Sequence, residues 1–488
     1  MRYFCLTILI LSLVASCNEP APENKLKNNI PPNFIVFIAD DVNFDDFGCT
    51  GNPFVETPNI DQLAANGLMF NNFYLTASSC SPSRNSIITG RYPHNTGAPE
   101  LHQTPPDFME SFPELLKKNG YYTGQSGKFH LGPYATRGFD VIYDKRAETG
   151  DGGEEMWIKT ISERDPNKPF MMWFASYDAH RDWGPNEFSG THDPNNITPP
   201  FYLDSGFQTK EDLGKYYDEI KRFDHYIGLV VEQLKQQGVY ENTMIIVMAD
   251  NGRPFPHSKT RVNDRGMKSP FIIHWPDKIK KKASSTSLVS AIDIAPTILT
   301  LAGISPTLQF QGKSFDPLIE NPDQPFRNYV FAEHNWHDYE AHERMVRSKN
   351  LMYIRNARPN LPQMGPADAV KSPSNLALRE RMENGTLSEI QTDIYKTPRP
   401  GEELFDCNND PLQLVNIASQ PDKVNDLQFM RDVLDEWIAS TSDNVPDSLT
   451  ESWYTYEPGY VRTEQHGIRG ETPGEALNAT KNNNPGPF

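Results

Sequence analysis

The sequence predicts an α/β protein in which helices cover both faces of a mainly parallel sheet. Three continuous apolar runs of six residues, at 34–39, 170–175 and 244–249, are typical of strands buried on both faces. Helical segments lie between these runs, at 59–66, 111–119 and 214–237. This alternation of strands and helices indicates an α/β fold rather than an all-α or all-β one.

Polar side chains follow each of the three predicted strands. Asp40 and Asp41 come directly after the first strand, and Asp250 and Asn251 directly after the third. The second strand runs into a polar stretch that contains His180. Because parallel strands end at the same sheet edge, and ligands of open α/β sheets bind at that edge, we expect these side chains to converge.

The length of the chain, 488 residues, suggests a large α/β domain with a smaller one added. The pattern changes near 316–325, after which shorter alternating segments and a late helix at 424–441 follow. We predict a main domain at 34–325, a smaller C-terminal α+β subdomain at 326–442 and an irregular tail at 443–488. The tail carries four aromatic residues at 453–460, so we expect it to wrap over the body.

The charge balance excludes some classes of partner. The formal net charge is −18 and clusters of Lys and Arg are nearly absent, which argues against nucleic acid. Net acidity does not exclude an anionic substrate, because a few basic side chains and a metal can dominate one pocket. The 41 prolines and 31 glycines indicate many turns and long ordered loops.

The N-terminus predicts a targeting segment. Arg2 precedes an apolar run at 6–14, and Val14-Ala15-Ser16-Cys17 resembles a bacterial lipobox. We predict a signal peptide at 1–16, a lipid on Cys17 and a tether at 17–33; an ordinary secretory signal is the alternative. This implies a lipoprotein of the bacterial cell envelope, held at the outer membrane by its lipid alone, since no other apolar stretch could span a bilayer.

The segment from Ser78 to Arg91 is the most informative part of the chain. Pro82 suits the first turn of a helix and Gly90 suits its end, so a helix would begin near Cys80. A helix N-terminus favours a bound anion, although a free cysteine on an ordinary helix is the alternative. Cys80-Ser81-Pro82-Ser83-Arg84 resembles the Cys-x-Pro-x-Arg signature of the formylglycine-dependent sulfatases. The resemblance implies that a maturation enzyme oxidises Cys80 to formylglycine (3-oxoalanine). If Cys17 is lipidated and Cys80 oxidised, Cys49 and Cys407 remain, and whether they pair is open.

The residues after the first and third strands predict a metal site. Asp40, Asp41, Asp250 and Asn251 supply three carboxylates and one amide oxygen, which suit a hard divalent cation. A turn or a helix cap is the alternative for each pair taken alone. The sulfatase resemblance implies that the ion is Ca²⁺ and that the modified Cys80 completes its ligand set.

A second block, Gly120 to Gly132, resembles the family motif Gly-Tyr-x-Thr-x-x-x-Gly-Lys-x-His-Leu-Gly. The resemblance implies that Lys128 and His130 contact the modified Cys80, and that His180 contacts the scissile sulfate ester. The chemistry of an aldehyde hydrate needs a base, for which Asp250 is a candidate, and an acid, for which His180 is a candidate. Ca²⁺, Lys128 and Lys259 would stabilise charge on the sulfuryl oxygens, and His130 would restore the aldehyde. We expect Arg84 to hold the aldehyde hydrate and the helix start together.

The sequence after Asp250 departs from the commonest sulfatase pattern. Asp-Asn-Gly-x-Pro-Phe-Pro resembles the branch that contains heparan N-sulfatase (sulfamidase), where a basic residue matching Lys259 contacts the sulfate. Arg253 and Arg261 are the alternatives to Lys259 for this contact. The predicted substrate-binding residues are Arg181, His334, Trp336 and His337. For the last three, surface positions at a strand end are the alternative.

The resemblance covers 34–419 and implies a fold like that of alkaline phosphatase, with a large mixed, mostly parallel sheet between helices. We expect a sulfatase acting on sulfate esters of a sulfated oligo- or polysaccharide, for which algal ulvan is an example. Three alternatives stay open. They are a sulfamidase, a phosphatase or phosphodiesterase of the same superfamily, and a non-catalytic glycan-binding lipoprotein.

Overall fold

The three predicted strands lie side by side at the centre of the main sheet. The computed structural model describes residues 30–455, 466–473 and 482–488. Its strands are β1 Asn33–Ala39, β2 Leu68–Phe70, β3 Phe73–Tyr74, β4 Tyr122–Gly127, β5 Val141–Tyr143, β6 Phe170–Ala175, β7 Thr243–Ala249, β8 Phe271–His274, β9 Ala283–Ser285, β10 Val289–Ser290, β11 Tyr329–Trp336, β12 Glu340–Ser348, β13 Leu351–Asn356 and β14 Glu402–Asp406. The main sheet has the order β5-β4-β6-β1-β7-β8-β2-β9. Its first five strands are parallel, whereas β8 runs antiparallel to both β7 and β2. The predicted mixed, mostly parallel sheet is confirmed.

Helices pack on both faces of this sheet, on one another and on the second sheet described below. They are α1 Pro58–Ala65, α2 Cys80–Thr89, α3 Phe112–Lys118, α4 Arg146–Thr149, α5 Trp157–Ser162, α6 Phe207–Gln236, α7 Asp264–Met267, α8 Ile294–Leu301, α9 Asp316–Glu320, α10 Ala367–Val370, α11 Pro373–Glu383, α12 Glu389–Thr392 and α13 Val424–Thr441. Alternate residues of β1 enter two different cores, with Phe34 and Val36 on one face and Ile35 and Phe37 on the other. Each fully buried side chain of this kind contributes about 1.5–3 kcal/mol, which explains the unbroken apolar run.

The longest helix starts earlier than predicted. We expected it to begin at Gly214, but α6 begins at Phe207 and continues through that glycine. A Cβ at Gly214 would lie 3.0 Å from the carbonyl oxygen of His192. The glycine therefore allows a neighbouring loop to approach the helix and does not mark its end.

The second sheet is antiparallel, with the order β11-β12-β13-β14. One face packs against α13, where Phe331 stacks on Trp437 with ring centroids 5.1 Å apart. The other face shares the main core through residues such as Val330 and Met345. The described residues from 32 onwards accordingly form one compact unit. The C-terminal α+β subdomain is packed into the same body as the main sheet.

Parts of both chain termini lie outside the described residues. The predicted signal peptide at 1–16 and Cys17 lie outside the described residues, as do Tyr456 and Tyr460 of the tail. In the described part of the tail, Trp453 packs on Trp336 with ring centroids 4.3 Å apart. Across the described ranges no helix is long and apolar enough to cross a membrane. The sequence left open whether Cys49 and Cys407 form a disulfide, and in the structure both are free cysteines.

Candidate active site

The strand ends converge as the sequence predicts. Backbone hydrogen bonds continue past the strands, from Asp40 N–H to the Asp178 carbonyl at 2.7 Å and from Asp250 N–H to the Ala39 carbonyl at 3.1 Å. The Asp41 N–H then donates to Oδ1 of Asp250 at 3.2 Å. Asp41 has a φ of 61°, which turns the chain sharply after the strand. The two aspartates after β1 thus contact residues that follow β6 and β7.

Cys80 is the first residue of α2 and faces these carboxylates. Its Sγ lies 3.7 Å from Oδ1 of Asp40 and 3.9 Å from Oδ1 of Asp41. The helix ends at Gly90, whose φ of 61° is the left-handed conformation that glycine favours. Cys80 is only 2% exposed, and this burial raises the pKa of its thiol. An unmodified Cys80 is therefore protonated at neutral pH and a poor nucleophile.

The acidic residues form a donor set that fits a hard cation. The ligand atoms of Asp40, Cys80 and Asp250 lie within 4.8 Å of one another. Asn251 Nδ2 donates to Asp41 at 2.5 Å, while the buried Asn251 Oδ1 has no hydrogen-bond partner. A buried carbonyl-type oxygen without a donor is costly, and a cation would satisfy it. Three carboxylates and one such oxygen are the ligands that Ca²⁺ and Mg²⁺ prefer.

Each carboxylate also contacts a basic side chain of the protein. Arg84 Nε donates to Asp250 at 2.7 Å, Lys259 Nζ lies 2.7 Å from Asp41, and Lys128 Nζ contacts Asp40. Arg84 also donates to the carbonyl of Lys128 at 2.9 Å, which ties helix α2 to the end of β4. These three basic residues place positive charge beside Cys80.

The pKa values of this cluster follow from burial and charge. Burial raises the pKa of Asp40, but Lys128 and Arg84 more than offset it, so the pKa is lowered. Burial raises the pKa of Asp250 to about 6, against the opposing effect of Arg84. Burial lowers the pKa of Lys259, but Asp41 and the neighbouring acidic groups together outweigh burial, so the pKa is raised. The lysine is therefore charged at neutral pH.

Two histidines face the same cavity. Nε2 of His180 lies 3.9 Å from Oδ2 of Asp41 and 3.7 Å from Oδ2 of Asp368. His130 Nε2 lies 3.0 Å from Nδ1 of His102. Burial, together with Lys128, lowers the pKa of His130 well below its ordinary value. His130 is thus neutral at pH 7.

The predicted substrate-binding residues have different positions. His337 lines the cavity, and its Nδ1 lies 2.8 Å from Oγ of Ser79, the residue that precedes α2. His334 and Trp336 are buried in β11 and are not among the cavity-lining residues. The alternative, that these two residues lie on the surface at a strand end, is also wrong because both are buried. Arg181 uses both of its Nη atoms on Asp212, at 2.7 and 2.8 Å, and packs on Trp183. We expected Arg181 in the substrate set, but its guanidinium is engaged inside the fold.

The two alternatives to Lys259 as the sulfate-contacting residue contact carboxylates outside the donor set. Arg253 contacts Asp46 at 2.9 Å, and Arg261 contacts Asp393 at 2.8 Å. Of these three basic residues, Lys259 is the one that contacts a carboxylate of the donor set.

Sequence reasoning missed part of the cavity, which has a volume of about 570 Å³. The missed lining residues include His102, Asp144, Arg146, Tyr177 and Asp368. Asp368 lies on the short helix α10, 3.7 Å from Lys259 Nζ. Neither His102 nor Asp368 follows a strand or belongs to a motif, so no sequence signal marks them.

The mostly parallel sheet between helices, with polar residues gathered at one edge, has an alkaline-phosphatase-like fold. The family model described as "Sulfatase" matches residues 32–304, more than half of the chain. This protein therefore belongs to the sulfatase family, a family of sulfuric ester hydrolases. Its members generally use a formylglycine and a divalent metal. A second model, described as the C-terminal region of N-sulphoglucosamine sulphohydrolase, matches residues 257–358.

Two relatives and one solved structure illustrate the similarity. An ulvan-active sulfatase of Formosa agariphila is 29% identical, with 92% of this chain and 83% of the relative covered. The human N-sulphoglucosamine sulphohydrolase is 28% identical, with 86% and 93% covered. A solved structure, described as a complex with its substrate D-glucosamine-2-N,6-O-disulfate, has a TM-score of 0.64 at 21% identity. The match covers 84% of this chain and 98% of the chain in that solved structure. At that identity the match establishes the fold alone.

Proposed function

We propose that this protein is a lipid-anchored sulfatase of the bacterial cell envelope that hydrolyses sulfate esters on a sulfated carbohydrate. The observation that carries the proposal is the position of Cys80, which is buried at the start of α2 between the carboxylates of Asp40 and Asp41. Lys128 and Lys259 contact those same carboxylates. A negatively charged sulfate group would find concentrated positive charge beside the reactive residue.

The proposal includes two groups that the family generally uses. A maturation enzyme would convert Cys80 to formylglycine, and Asp40, Asp41, Asp250 and Asn251 would hold one Ca²⁺. The hydrated aldehyde supplies an oxygen nucleophile, and the cation supplies positive charge beside it. The unpartnered Oδ1 of Asn251 supports the cation, since all four proposed ligands offer oxygen.

The remaining steps belong to side chains of the protein. Lys128 and Lys259 are oriented by their aspartates and stabilise charge that develops on the sulfuryl oxygens. His180, half-buried in the loop after β6, would hold a proton for the departing alcohol oxygen. His130 is neutral and would accept a proton when sulfate is released. The proposed proton donor His180 and proton acceptor His130 follow different strands, β6 and β4.

The substrate class rests on the relatives and on the size of the cavity. One relative is named an ulvan-active sulfatase, and a cavity of about 570 Å³ accommodates a sugar ring with its sulfate. We therefore propose an oligosaccharide released from a sulfated polysaccharide, such as ulvan, as the substrate. Exposed charged groups at the cavity mouth, Asp144 and Arg146, would meet neighbouring sugars.

The test uses protein produced with a formylglycine-generating enzyme and a panel of sulfated oligosaccharides. We expect release of inorganic sulfate from at least one glycan, and a mass change on the Cys80 peptide that corresponds to the aldehyde. Cys80→Ala should abolish release, whereas Cys49→Ala, a matched change at a free cysteine outside the cavity, should retain it. Full activity of protein that carries only unmodified Cys80 would contradict the proposal.

A sulfamidase is the second candidate function, because residues 257–358 match the C-terminal model of N-sulphoglucosamine sulphohydrolase. The two candidates differ in the bond that is cleaved, S–O or S–N. Paired assays on glucosamine carrying either a 2-N-sulfate or a 6-O-sulfate separate them. Preference for the N-sulfate would replace the ester substrate in our proposal.

The lipid anchor has its own test. Cys17 should incorporate labelled palmitate in a bacterial host, and the protein should sediment with outer membranes. Cys17→Ser should abolish labelling and release the protein from the membrane. Labelling that persists in this variant would contradict the anchor.

A further inference from the structure

The segment from Glu100 to His102 forms one wall of the catalytic cavity. Leu101 packs beside Cys80 and Trp336, and its N–H donates to the Trp336 carbonyl at 3.3 Å. His102 has a φ of 67°, and its N–H donates to Oγ of Ser81 at 2.8 Å. Its ring reaches His130, which lies 3.0 Å away. The position of this wall therefore determines how His102 meets His130.

Arg469, far along the chain in the tail, holds this wall from outside. Its Nη1 lies 3.1 Å from Oε2 of Glu100, and its Nη2 donates to the Leu101 carbonyl at 2.8 Å. Its guanidinium also packs on the rings of Trp336 and Trp453, at 4.6 and 4.9 Å from their centroids. The side chain thus links two neighbouring residues of the wall to an aromatic pair.

The carboxylate that Arg469 contacts is buried. The Glu100 side chain is 0% exposed, and its Oε2 also accepts a hydrogen bond from Oγ1 of Thr450 at 2.8 Å. The N–H of Gly470 donates to the same Thr450 hydroxyl at 3.0 Å. Arg469 and Thr450, which lie in two different parts of the tail, therefore both contact Glu100. A buried carboxylate that loses its cationic partner is strongly disfavoured, so the wall depends on Arg469 for its position.

We propose that Arg469 is a positioning residue of the active site, which fixes the Glu100–His102 wall and through it the contact between His102 and His130. Arg469 does not line the cavity, so it acts through the wall and touches no substrate. The proposal rests on the proposed function only for its consequences in catalysis. The tail is accordingly part of the catalytic unit in this protein.

The first experiment needs no substrate. Amide hydrogen exchange is measured by mass spectrometry on peptides that cover 98–103, in wild-type protein and in Arg469→Ala. We expect faster exchange in that segment, because the N–H groups of Leu101 and His102 are hydrogen-bonded in the wall. The matched control is Arg431→Ala, which removes an arginine paired with Glu402 elsewhere. Unchanged exchange in Arg469→Ala would overturn the proposal.

The second experiment is a double-mutant cycle on turnover of 4-nitrophenyl sulfate by formylglycine-containing protein. Arg469→Ala should lower kcat about 10- to 100-fold, since small misplacements of catalytic groups have effects of that size. Arg469→Lys should recover part of the loss. Once His102→Ala is present, adding Arg469→Ala should cause little further loss, because both changes act through His102.

Two outcomes separate this inference from the proposed function. Additive losses in the cycle would mean that Arg469 does not act through His102, and would overturn the proposal. Wild-type protein that contains formylglycine but hydrolyses no sulfate would contradict the proposed function alone. The exchange experiment would still decide whether Arg469 holds the wall.

Discussion

Replacing Arg84 with methionine tests how the acidic cluster is balanced. The Arg84 side chain is 0% exposed, with Nε 2.7 Å from Asp250 and Nη2 3.6 Å from Asp40. Removing one partner of a buried ion pair costs about 3–5 kcal/mol, because the other charge stays buried without compensation. Methionine fills much of the same space, so the packing loss should be small beside this electrostatic loss. We expect the free energy of unfolding to fall by about 3–5 kcal/mol.

The assay is urea unfolding followed by tryptophan fluorescence, with a chelator present so that no bound cation replaces the lost charge. Arg84→Met combined with Asp250→Asn should regain part of the stability, since the unpaired carboxylate is then gone. Arg431→Ala removes a pair at the surface that is only partly buried, and it should change stability by about 0–1 kcal/mol. A loss in Arg84→Met no larger than in Arg431→Ala, or no recovery in the double variant, would refute the reasoning.

Four further predictions concern pH, metal and histidines. Burial raises the pKa of Glu333, but His94, Arg344 and Asn335 together outweigh burial and hold the pKa at about 2 against an ordinary 4.5. Its stabilising contribution is therefore full above pH 4.5 and lost as the pH falls towards 2; melting curves of Glu333→Gln should show a weaker loss of stability over that range. Chelation should lower sulfate release and the melting temperature together, and added Ca²⁺ should restore both; a melting temperature that does not change would contradict the cation. His180→Ala should reduce turnover of a glycan more than turnover of 4-nitrophenyl sulfate, whose better leaving group needs less proton donation; equal losses would remove His180 from the acid role. Because His337 contacts Ser79 at the start of α2, His337→Ala should reduce turnover of both substrates, and a loss confined to the glycan would return it to sugar binding alone.

The part of the site that lies directly after strands could be predicted from the sequence. A strand buried on both faces has a distinctive apolar run, and its end is where the polar residues begin. Asp40 and Asp250 were located in this way, and the parallel order β6-β1-β7 brought them together. Cys80 was located by its motif and by the helix signals around it.

The rest of the site depends on side-chain direction and on contacts between distant parts of the chain. Arg181 adjoins His180 in sequence, yet it turns towards Asp212 on α6 and away from the cavity. His334 lies on the face of β11 that is turned away from α13, where Tyr339 and Glu343 contact it. Asp368 reaches Lys259 from a short helix more than a hundred residues away. Neither motif nor periodicity contains information about such pairings.

The burial of Cys80 has a consequence for the biogenesis of the protein. A separate enzyme cannot reach a thiol that is 2% exposed at the start of a packed helix. Every residue of α2 is buried, so a local opening would have to expose much of the core. The proposed oxidation must therefore act on the nascent or unfolded chain, and folding closes the interval in which it can occur. A molecule that folds before oxidation would keep its Cys80 thiol. The active fraction of a preparation would therefore measure the rate of oxidation relative to the rate of folding.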